Sequence, residues 1–578
     1  MANVLGLSFD YHDAAAALLV EGQLVTAIQE ERLTRIKHDS ALPAKAIQSC
    51  LLYTGISPHD LDAVVFYENP LRKFDRILKT SRENYPAYLA ETLQSWVKEG
   101  KFSPRQRIVN LLGISPDKVH YGEHHRSHAA SAFYVSPFNE AAVVTVDGVG
   151  ETESATIWMG QGNTLSQLRH ADFPVSLGLF YSVMTAYLGF EINEGEYKVM
   201  GMASYGTPRH TETLRTIYRT AELGLPDLSA DYFDLFSASE YPFKETLCTL
   251  LGPQRPPEAP FDPTNDGHSR RHADIAASVQ ALTEEIYLSL CSQALDATSA
   301  PALCIAGGVA LNSKANHRIQ DELSVPLFIQ PAAGDAGGAL GAALDWHHTN
   351  QPQSSRTTTF IAYQGRAFDN ETIAHILDKA GIEGYRRLDD TELFAEIARQ
   401  LADGRVIGWL NGRSEWGPRS LGARSILADP RRQEMKEVVN SRIKFRELFR
   451  PFAPSVLAEK AHQYFNLSPD ITTPAPEDYM LTVARAKENA YNSIPAVVHV
   501  DGTSRLQMVR AETNPRYHAL ISAFERLTGV PVLLNTSFNR RGEPIVDSPQ
   551  DALNTFMWTD IDILVMENIV IDKATACL

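Results

Sequence analysis

Residues 4–28 read VLGLSFDYHDAAAALLVEGQLVTAI, and this stretch alternates short apolar runs with short polar turns. Short apolar runs that are bounded by turn residues are typical of buried β-strands. The three runs are Val4 to Phe9, Ala14 to Val20 and Leu24 to Ile28. Asp10-Tyr11-His12-Asp13 forms the first turn and Glu21-Gly22 a tight hairpin, so the chain is predicted to begin with a three-stranded unit.

The same pattern recurs from Ala141 onward. Val143 to Val146 is a second apolar strand, Asp147 to Glu151 is its polar turn, and Ser154 to Met159 follows as a strand before the hairpin at Gly160 to Asn163. We interpret the recurrence as an internal duplication of one unit. Duplication with a polar turn after each first strand characterises the actin/Hsp70/sugar-kinase group of ATP-binding folds. The sequence therefore predicts an α/β fold of that class.

Two glycine-rich segments have the character of strand-to-helix turns. They are CIAGGVALN (304–312) and AGDAGG (333–338). Glycine lets backbone N–H groups approach a phosphate, and a helix start adds a favourable dipole. Close packing of a strand against a helix would explain either turn equally well. The chain contains neither GxxxxGK[ST] nor GxGxxG, so P-loop and dinucleotide-binding folds lose their main support.

Bulk composition excludes several classes of protein. The 578 residues carry a net charge of −17 without a Lys/Arg-rich tail, so neither a nucleic-acid nor a membrane partner is expected. The longest apolar runs are far shorter than the roughly 18 residues of a spanning helix, and no Lys or Arg precedes Arg32, so the basic start of a signal peptide is missing. The five cysteines are scattered without a CxxC pair. A cytoplasmic location with unpaired thiols is the expectation.

Composition also suggests domain boundaries. Residues 347–359 (HHTNQPQSSRTTT) are polar and unpatterned, and we predict a linker there between domains 1–346 and 360–578. Residues 205–269 are rich in Pro, Asp and aromatic residues and are predicted to be an insertion. Residues 405–450 contain 11 Lys/Arg against 5 Asp/Glu, a local basic excess in an acidic chain.

A histidine pair offers the spacing of metal ligands. His124 and His128 are four residues apart in a predicted helix and would share one face. Asp147 ends a strand and Asp335 lies in a glycine turn, so both acids are expected at nucleotide loops. A mixed His/Asp set suits a divalent metal that also touches phosphate oxygens. Core or capping histidines would explain the pair as well, and HHRSH lacks the glutamate of a zinc peptidase.

His12 occupies the first turn, where a sugar kinase would show a glycine-threonine phosphate loop. A histidine there indicates proton transfer, because its pKa lies near working pH, although a hydrogen-bonded loop histidine is the alternative. Lys37 and Lys198 are candidate phosphate contacts. Lys198 is the better one, since it lies in the compact stretch GEYKVMG (195–201).

The basic C-terminal region combines arginines with restricted loops. GPRSLGARS (417–425) carries two arginines, and Lys444, Arg446 and Arg450 flank the prolines of PFAP (451–454). HVDGTSR (499–505) and LNTSFN (534–539) follow. Arginine binds phosphate bidentately, so these segments predict a cradle for a small phosphorylated ligand. A solvated basic face is the alternative.

Taken together, these motifs resemble the O-carbamoyltransferase family of nodulation and antibiotic-tailoring enzymes over nearly the whole chain. The resemblance rests on the order of His12-Asp13 with Glu30-Glu31-Arg32, HxxxH at 124–128, 195–201, Gly334-Asp335, 417–419, RPFAP at 450–454, HVDGT at 499–503 and NTSFN at 535–539. It implies an N-terminal actin/Hsp70-like domain similar to the tRNA threonylcarbamoyl-transferase. It also implies a C-terminal α/β domain similar to the YrdC-type enzyme.

The resemblance further implies a reaction and its residues. Carbamoyl phosphate would bind Arg419, Lys444, Arg450, Arg505, Asn535 and Ser537, and the carbamate formed from it would attack ATP, with Mg²⁺ as the expected companion of ATP. The resulting carbamoyl-adenylate would bind Lys37, Gly178, Lys198, Gly201, Gly307, Gly308 and Asn312. Iron(II) or another divalent metal would bind His124, His128, Asp147 and Asp335. His12 would deprotonate a hydroxyl of a small natural-product or sugar-like acceptor, and AMP would leave.

Two other interpretations remain open at this point. An ATP-gated binding protein of the Hsp70/actin type explains the duplication and the glycine turns but gives the histidine pair and the basic region no role. A sugar kinase is disfavoured by His12. The sequence leaves the acceptor, the pathway and the oligomeric state open.

Overall fold

The computed structural model describes residues 2–84, 86–235, 241–356, 359–468 and 474–575. The chain divides into two compact units. Unit 1 comprises residues 1–25, 40–47 and 54–360, and unit 2 comprises residues 26–39, 48–53 and 361–578.

The strands are β1 (Val4–Ser8), β2 (Ala15–Val20), β3 (Gln23–Gln29), β4 (Ala63–Phe66), β5 (Val119–Tyr121), β6 (Glu140–Val146), β7 (Glu153–Gln161), β8 (Thr164–Asp172), β9 (Tyr218–Thr220), β10 (Pro226–Leu228), β11 (Leu303–Ala306), β12 (Leu327–Ile329), β13 (Arg386–Arg387), β14 (Ile407–Leu410), β15 (Arg424–Ala428), β16 (Ala453–Leu457), β17 (Phe465–Asn466), β18 (Ala484–Ala486), β19 (Thr503–Ser504), β20 (Gln507–Val509), β21 (Val532–Ser537), β22 (Ile563–Met566) and β23 (Ile569–Asp572).

The α-helices are α1 (Glu30–Thr34), α2 (Ala44–Thr54), α3 (Pro70–Asn84), α4 (Pro86–Glu99), α5 (Pro104–Leu112), α6 (His124–Phe133), α7 (Leu177–Tyr187), α8 (Glu196–Ala203), α9 (Thr211–Arg215), α10 (Glu245–Leu251), α11 (Gly267–Thr298), α12 (Ser313–Leu323), α13 (Asp335–Asn350), α14 (Asn370–Lys379), α15 (Asp390–Ala402), α16 (Met435–Val438), α17 (Glu488–Ser493), α18 (Pro515–Thr528) and α19 (Pro549–Met557).

Two five-stranded sheets of the same topology confirm the predicted duplication. The first has the order β3-β2-β1-β4-β5, and the second has the order β8-β7-β6-β11-β12. In each sheet the first strand of the unit pairs antiparallel with the next strand and parallel with a later one: β1 with β2 and β4, and β6 with β7 and β11. The α/β fold of the actin/Hsp70-like class is therefore confirmed for the N-terminal part.

Burial explains why the central strands read as continuous apolar runs. Every residue of β1, β4 and β11 is buried, as expected for parallel strands that are covered on both faces. Helix α13 packs against β1, β2 and α6. The glycine turn predicted at 333–338 leads directly into α13, whose first residue is Asp335. The chemistry-bearing turns are thus attached to a rigid core.

Unit 2 is built on an eight-stranded mixed sheet, which confirms the α/β class predicted for the C-terminal part. Its order is β13-β23-β22-β14-β15-β21-β16-β20, and a separate small sheet has the order β17-β18-β19. Helices α14, α15, α18 and α19 bury apolar residues in the same core as this sheet. A π-helical turn at Val439–Lys444 follows α16. Such turns are rare and often occur at functional sites.

The domain boundaries differ in detail from those predicted. The predicted linker does not begin at residue 347, because α13 continues to Asn350 and both His347 and His348 are buried. Arg356, near its other end, donates to the carbonyls of Phe138 and Gly162 at 2.8 and 3.2 Å. Residues 26–39 also belong to unit 2, although the sequence indicated no break there. Of the predicted insertion 205–269, residues 236–240 lie outside the described part.

None of the helices in the described part of the chain combines the length and the apolar character that a membrane-spanning segment requires.

Candidate functional site

Two histidines of α6 meet the turn that follows β6. His124 and His128 are four residues apart and lie on one face of the helix, where both are buried. Their Nε2 atoms are 3.1 Å apart. Oδ2 of Asp147, the first residue after β6, lies 3.0 Å from Nε2 of His128 and 3.4 Å from Nε2 of His124. The histidine pair is thus placed against the first predicted carboxylate.

The second predicted carboxylate completes the group. Asp335 Oδ1 lies 3.5 Å from Nε2 of His128 and 3.8 Å from Nε2 of His124. Its other oxygen, Oδ2, accepts a hydrogen bond of 3.2 Å from the Tyr67 hydroxyl. One donor atom from each of the four residues lies within 4.8 Å of all the others. The four residues that the sequence offered as metal ligands therefore converge, and we call them the His/Asp cluster.

The donor set of the His/Asp cluster fits a divalent transition metal. Imidazole nitrogens with carboxylate oxygens suit such ions, and bonds of about 2.1 Å in a tetrahedral shell give donor–donor edges of about 3.4 Å. The measured His–His and His–Asp separations run from 3.0 to 3.8 Å. Within the described residues, neither Nδ1 of His124 nor Nδ1 of His128 has a hydrogen-bond partner, and each ring directs its Nε2 toward the carboxylates. The residues present therefore fit a metal ion.

Charge at the His/Asp cluster is concentrated and buried. Burial lowers the pKa of both imidazoles, but the neighbouring carboxylates outweigh it: the pKa of His124 lies well above its usual value and that of His128 is also raised. The same imidazoles hold the pKa of Asp147 well below its usual range. Glu68 adds a third buried carboxylate, 3.6 Å from Nδ1 of His124. The cluster consequently requires positive charge, from protons or from a cation.

Two further acids hold this arrangement in place. Lys73 donates to both carboxylate oxygens of Glu68 at 2.9 Å, so the Glu68 charge beside His124 is balanced. Glu151 accepts from the backbone N–H of His124 at 3.0 Å, which satisfies a free donor at the start of α6. Burial is the main reason why the pKa of Glu151 rises to about 7.

His12, the predicted base, lies in the turn after β1. Its Nδ1 is 3.0 Å from Oδ2 of Asp13, and its side chain is 19% exposed. Burial lowers its pKa, but the charges of Asp335, Asp13 and Asp147 outweigh that effect and raise it to about 9. His12 is therefore within the electrostatic reach of the His/Asp cluster.

Three predicted nucleotide-binding glycines surround the Asp147 turn. A side chain at Gly178 would bring its Cβ within 2.5 Å of the Asp147 carbonyl oxygen, and one at Gly307 within 2.2 Å of the Val146 carbonyl. Gly307 also has φ +93°, which strains any other residue. A Cβ on Gly308 would lie 3.1 Å from Asp147 Oδ1. Close backbone packing thus accounts for Gly178 and Gly307, while Gly308 leaves room beside a carboxylate.

The remaining nucleotide candidates of unit 1 lie on two neighbouring helices. Asn312 caps α12 by accepting from the N–H of Ala315, and its amide exchanges hydrogen bonds with Gln280. Lys198 and Gly201 are on α8, and Met200 between them contacts the hydroxyl of Ser313 through its sulfur at 3.5 Å. The Lys198 ammonium lies 5.6 Å from the centre of the Phe190 ring.

Lys444 is the centre of the basic group in unit 2. It ends the π-helical turn and is buried, and its ammonium donates to Ser537 and Asn539: 2.7 Å to the Ser537 carbonyl, 3.1 Å to the Ser537 hydroxyl and 2.5 Å to the Asn539 side chain. Burial is the main reason why its pKa lies well below its usual value. The predicted contacts Lys444 and Ser537 are thus joined directly.

Three more cations act on Lys444. After burial, the charges of Arg446, Arg450 and Lys37 lower its pKa further. Lys37 had been grouped with the nucleotide ligands of the N-terminal domain, but residues 26–39 belong to unit 2 and place it in the field of Lys444. Arg450 Nη1 lies 3.6 Å from Glu447 Oε2. Three positive groups near a desolvated ammonium favour an anionic ligand.

The other predicted phosphate contacts lie along the same sheet. Asn535 precedes Ser537 by two residues on β21, so the two side chains share one face. The Asn535 amide donates to the carbonyl of Ser420, which follows Arg419, at 3.1 Å. Arg505 lies in the short connection between β19 and β20. Asn535 is thereby linked to the loop of Arg419.

Several residues that shape these sites were not identified from the sequence. They are Tyr67, Glu68, Glu151, Glu415, Gln507 and Asn539. Tyr67 and Glu68 directly follow β4, which runs parallel to β1. Polar residues at the ends of neighbouring parallel strands mark a site in α/β folds, so this pair carried a usable signal.

Known protein families and individual relatives match this chain over most of its length. A family model described as "Carbamoyltransferase N-terminus" matches residues 3–344, and one described as "Carbamoyltransferase C-terminus" matches residues 398–573. An uncharacterized protein of Synechocystis is 42% identical over 99% of this chain and 97% of its own length. Nodulation protein NolNO of Sinorhizobium fredii is 38% identical over 98% of this chain and 79% of its own.

Among solved structures, HypF of T. kodakarensis is similar at 14% identity and a TM-score of 0.31, over 61% of this chain and 48% of its own. The two family models match both the part of the chain that holds the His/Asp cluster and the part that holds Lys444. With matches of this extent, the chain belongs to the carbamoyltransferase family and is an enzyme that transfers carbamoyl groups.

Proposed function

We propose that the protein is an ATP-dependent O-carbamoyltransferase that works through carbamoyl-adenylate. Carbamoyl phosphate loses phosphate to water, and an oxygen of the resulting carbamate attacks the α-phosphorus of ATP while pyrophosphate leaves. A hydroxyl oxygen of the acceptor then attacks the carbamoyl carbon, and AMP leaves. The observation that carries the proposal is the buried His/Asp cluster beside His12, in a chain of the carbamoyltransferase family.

The anionic substrate belongs with Lys444 in this proposal. Arg450, Arg446 and Lys37 lie in the electrostatic field of a buried ammonium, and such a group gains most from a doubly charged ligand. Charge-assisted hydrogen bonds from arginine to phosphate are among the strongest that proteins form. We therefore assign carbamoyl phosphate to Arg419, Lys444, Arg450, Arg505, Asn535 and Ser537.

A resident metal would be held by the His/Asp cluster. When bound there, it would polarise a carbonyl or phosphoryl oxygen of the adenylate. Iron(II) is the identity that the family resemblance suggests. The adenylate is assigned to Gly178, Lys198, Gly201, Gly307, Gly308 and Asn312. The three glycines Gly178, Gly307 and Gly308 lie against the Asp147 turn, and α8, which carries Lys198 and Gly201, contacts Ser313 next to Asn312.

His12 is the proposed general base. Asp13 Oδ2 accepts from Nδ1, so Nε2 is the ring atom that can receive the hydroxyl proton. With Asp335 and Asp147 uncompensated, a pKa of about 9 keeps the ring protonated at neutral pH and unable to act. Cancellation of those charges by a cation would lower the pKa toward the working range. In this proposal, the ability of His12 to act as a base therefore depends on a metal bound at the His/Asp cluster.

The acceptor class and the compartment follow the same reasoning. The similarity to a nodulation protein supports a small hydroxylated acceptor of natural-product or sugar-like type. The cysteines of the described part, Cys50, Cys248, Cys291 and Cys304, are all free thiols. Together with the use of ATP, they support the cytoplasm as the compartment.

Product analysis with ATP and carbamoyl phosphate tests the proposal. AMP and pyrophosphate are the expected products, and a panel of hydroxylated metabolites should reveal an acceptor that gains the mass of one carbamoyl group. ADP instead of AMP would favour a sugar kinase or an ATP-gated binding protein of the Hsp70 type.

A further inference from the structure

A buried amide acceptor in unit 2 has no partner. Asn535 is 1% exposed, and its Oδ1 has no hydrogen-bond partner within the described residues. A buried acceptor without a partner is costly and calls for an explanation. The basic side chains around Lys444 offer hydrogen-bond donors to a ligand. Asn535, two residues before Ser537 on the same strand, offers an acceptor and would therefore contact a different part of that ligand.

The orientation of the Asn535 amide is fixed by its surroundings. Its Nδ2 donates to the Ser420 carbonyl at 3.1 Å and to Oε1 of Gln507 at 3.1 Å, both of which can only accept, and it also lies 3.0 Å from the Ser455 hydroxyl. The Ser455 hydroxyl gives its proton to Gln507 Oε1, and a flipped amide would place oxygen against oxygen at the Ser420 and Gln507 contacts, so Oδ1 is the atom that is left over.

Gln507 is itself held in one orientation. Its Nε2 donates to the Leu421 carbonyl at 2.8 Å, which directs Oε1 toward Asn535. The Ser455 hydroxyl donates to the same Oε1 at 2.7 Å. The chain Leu421–Gln507–Asn535 therefore fixes which atom of the Asn535 amide remains available.

We propose that Asn535 Oδ1 accepts a hydrogen bond from the NH₂ group of the carbamoyl substrate and that Gln507 is the positioning residue for this contact. The inference rests on the proposed binding of carbamoyl phosphate beside Lys444. Carbamoyl and acetyl phosphate differ only in NH₂ against CH₃ at the acyl carbon, so cations that bind the phosphate cannot distinguish them. An acceptor at the acyl end can, because a methyl group would leave the buried oxygen unsatisfied.

The distance between the two groups suits a small acyl phosphate. Residues i and i+2 of a strand are about 6.6 Å apart and project from the same face. Asn535 would therefore meet the amide end of a ligand whose phosphate lies on the side of Ser537 and Lys444.

The test uses two stable phosphonates and the full-length chain. Phosphonoacetamide carries the NH₂ group, and acetonylphosphonate carries CH₃ in its place. Calorimetry should show that the wild-type protein binds phosphonoacetamide about 10- to 100-fold more tightly. Asn535→Leu should remove this preference, with the affinity for inorganic phosphate changed by less than about threefold.

The positioning residue has its own pair of variants. Gln507→Leu should reduce the preference to below about threefold, because the Asn535 amide is then free to turn. Gln507→Glu keeps an oxygen toward Asn535 Nδ2 but sets its second oxygen against the Leu421 carbonyl in place of the 2.8 Å hydrogen bond, so it should retain only part of the preference. Binding of inorganic phosphate and circular dichroism report whether each variant is folded.

Three results would overturn the inference in different ways. Equal affinity of the wild-type protein for the two phosphonates would reject the amide contact but leave the phosphate site standing. Full preference in Gln507→Leu would reject the positioning role. Failure of the wild-type protein to bind either phosphonate or phosphate would reject the carbamoyl phosphate site and the inference together.

Discussion

The Nε2 atoms of His124 and His128 face each other at 3.1 Å, although the pKa of each imidazole is raised. With one proton between the two Nε2 atoms, one ring is positive and the other accepts its hydrogen bond, and Asp147 and Asp335 stabilise that charge. A divalent cation would satisfy the same carboxylates and would replace the proton, since metal ligands must be neutral imidazoles.

Metal binding should therefore release about one proton at pH 7, and metal affinity should rise with pH. The sign follows from the raised pKa values of the two imidazoles, because a metal ligand must be a neutral imidazole and the metal displaces the proton that the carboxylates stabilise. Titration of Mn²⁺ or Fe²⁺ into metal-free protein, in buffers of different ionisation enthalpy, measures the number. Binding heats that are the same in all buffers would contradict the prediction.

Loss of one donor should weaken metal binding by at least about tenfold. His124→Ala and Asp335→Ala each remove a predicted ligand, and elemental analysis after dialysis measures retained metal. His125→Asn is the matched control: His125 is buried on the same helix, but its ring faces Thr145 and the Glu153 carbonyl at 2.6 and 2.9 Å. Equal loss of metal in the control would point to unfolding and not to ligation.

The pKa of His12 should fall when a metal binds. In metal-free protein we expect a value of about 9, well above the ordinary 6.5, so its ion pairing stabilises the fold fully below about pH 6.5 and this contribution is lost as pH rises through about 9. Titration of the His12 ring proton by NMR, with and without Zn²⁺, measures the change. A His12 pKa that metal leaves unaltered would mean that the His/Asp cluster does not control it.

Substitution of His12 should separate the two half-reactions. His12→Asn should reduce carbamoyl transfer by roughly 10²- to 10⁴-fold, while ATP-dependent pyrophosphate release continues, because only transfer requires removal of the hydroxyl proton. His120→Asn, on β5 of the same sheet, should retain both activities. If His12→Asn stops pyrophosphate release but still transfers from supplied carbamoyl-adenylate, His12 serves the other half-reaction.

Substitution of Arg450 should impair adenylate formation and spare carbamoyl transfer, the reverse of the effect expected for His12. Arg450→Ala should slow pyrophosphate release by about 10- to 100-fold and leave transfer from supplied carbamoyl-adenylate intact. Arg450→Lys should rescue only in part, since a point charge cannot replace the guanidinium fork. Arg516→Ala removes a comparably buried arginine of unit 2 that pairs with Asp390, and it should release pyrophosphate normally. If Arg450→Ala forms the adenylate normally but fails to transfer the carbamoyl group, the basic group around Lys444 serves the acceptor side and not carbamoyl phosphate.

The alternation of short apolar runs and polar turns in the sequence correctly predicted the strands of the duplicated sheets. The runs Val4 to Phe9 and Ala14 to Val20 became β1 and β2, and the repeat after Ala141 became β6 and β7, because burial on both faces imposes continuous apolar runs. The linker prediction was less accurate. Polar residues at 347–350 continue α13, whose helical bonds and packing outweigh local composition.

The candidate site was predictable where chemistry is carried by unusual residue types. The four residues of the His/Asp cluster converge because His124 begins α6, Asp147 follows β6 and Asp335 begins α13, while His128 lies one turn after His124 on the same helix face. Gln507 and Glu151 could not be found in this way, since an amide or a carboxylate acquires its role only from partners far along the chain. The family resemblance assigned Lys37 to the adenylate, and only the tertiary structure places it with Lys444.

The duplicated sheets of unit 1 carry the same turn twice, once after β1 and once after β6. In the proposed reaction, the first copy holds His12, a group that would change its charge in each cycle, and the second holds Asp147, a group that would keep its charge as a metal ligand. Two copies on one symmetrical frame can be altered separately, and their remaining connection is the electric field through which Asp147 acts on His12.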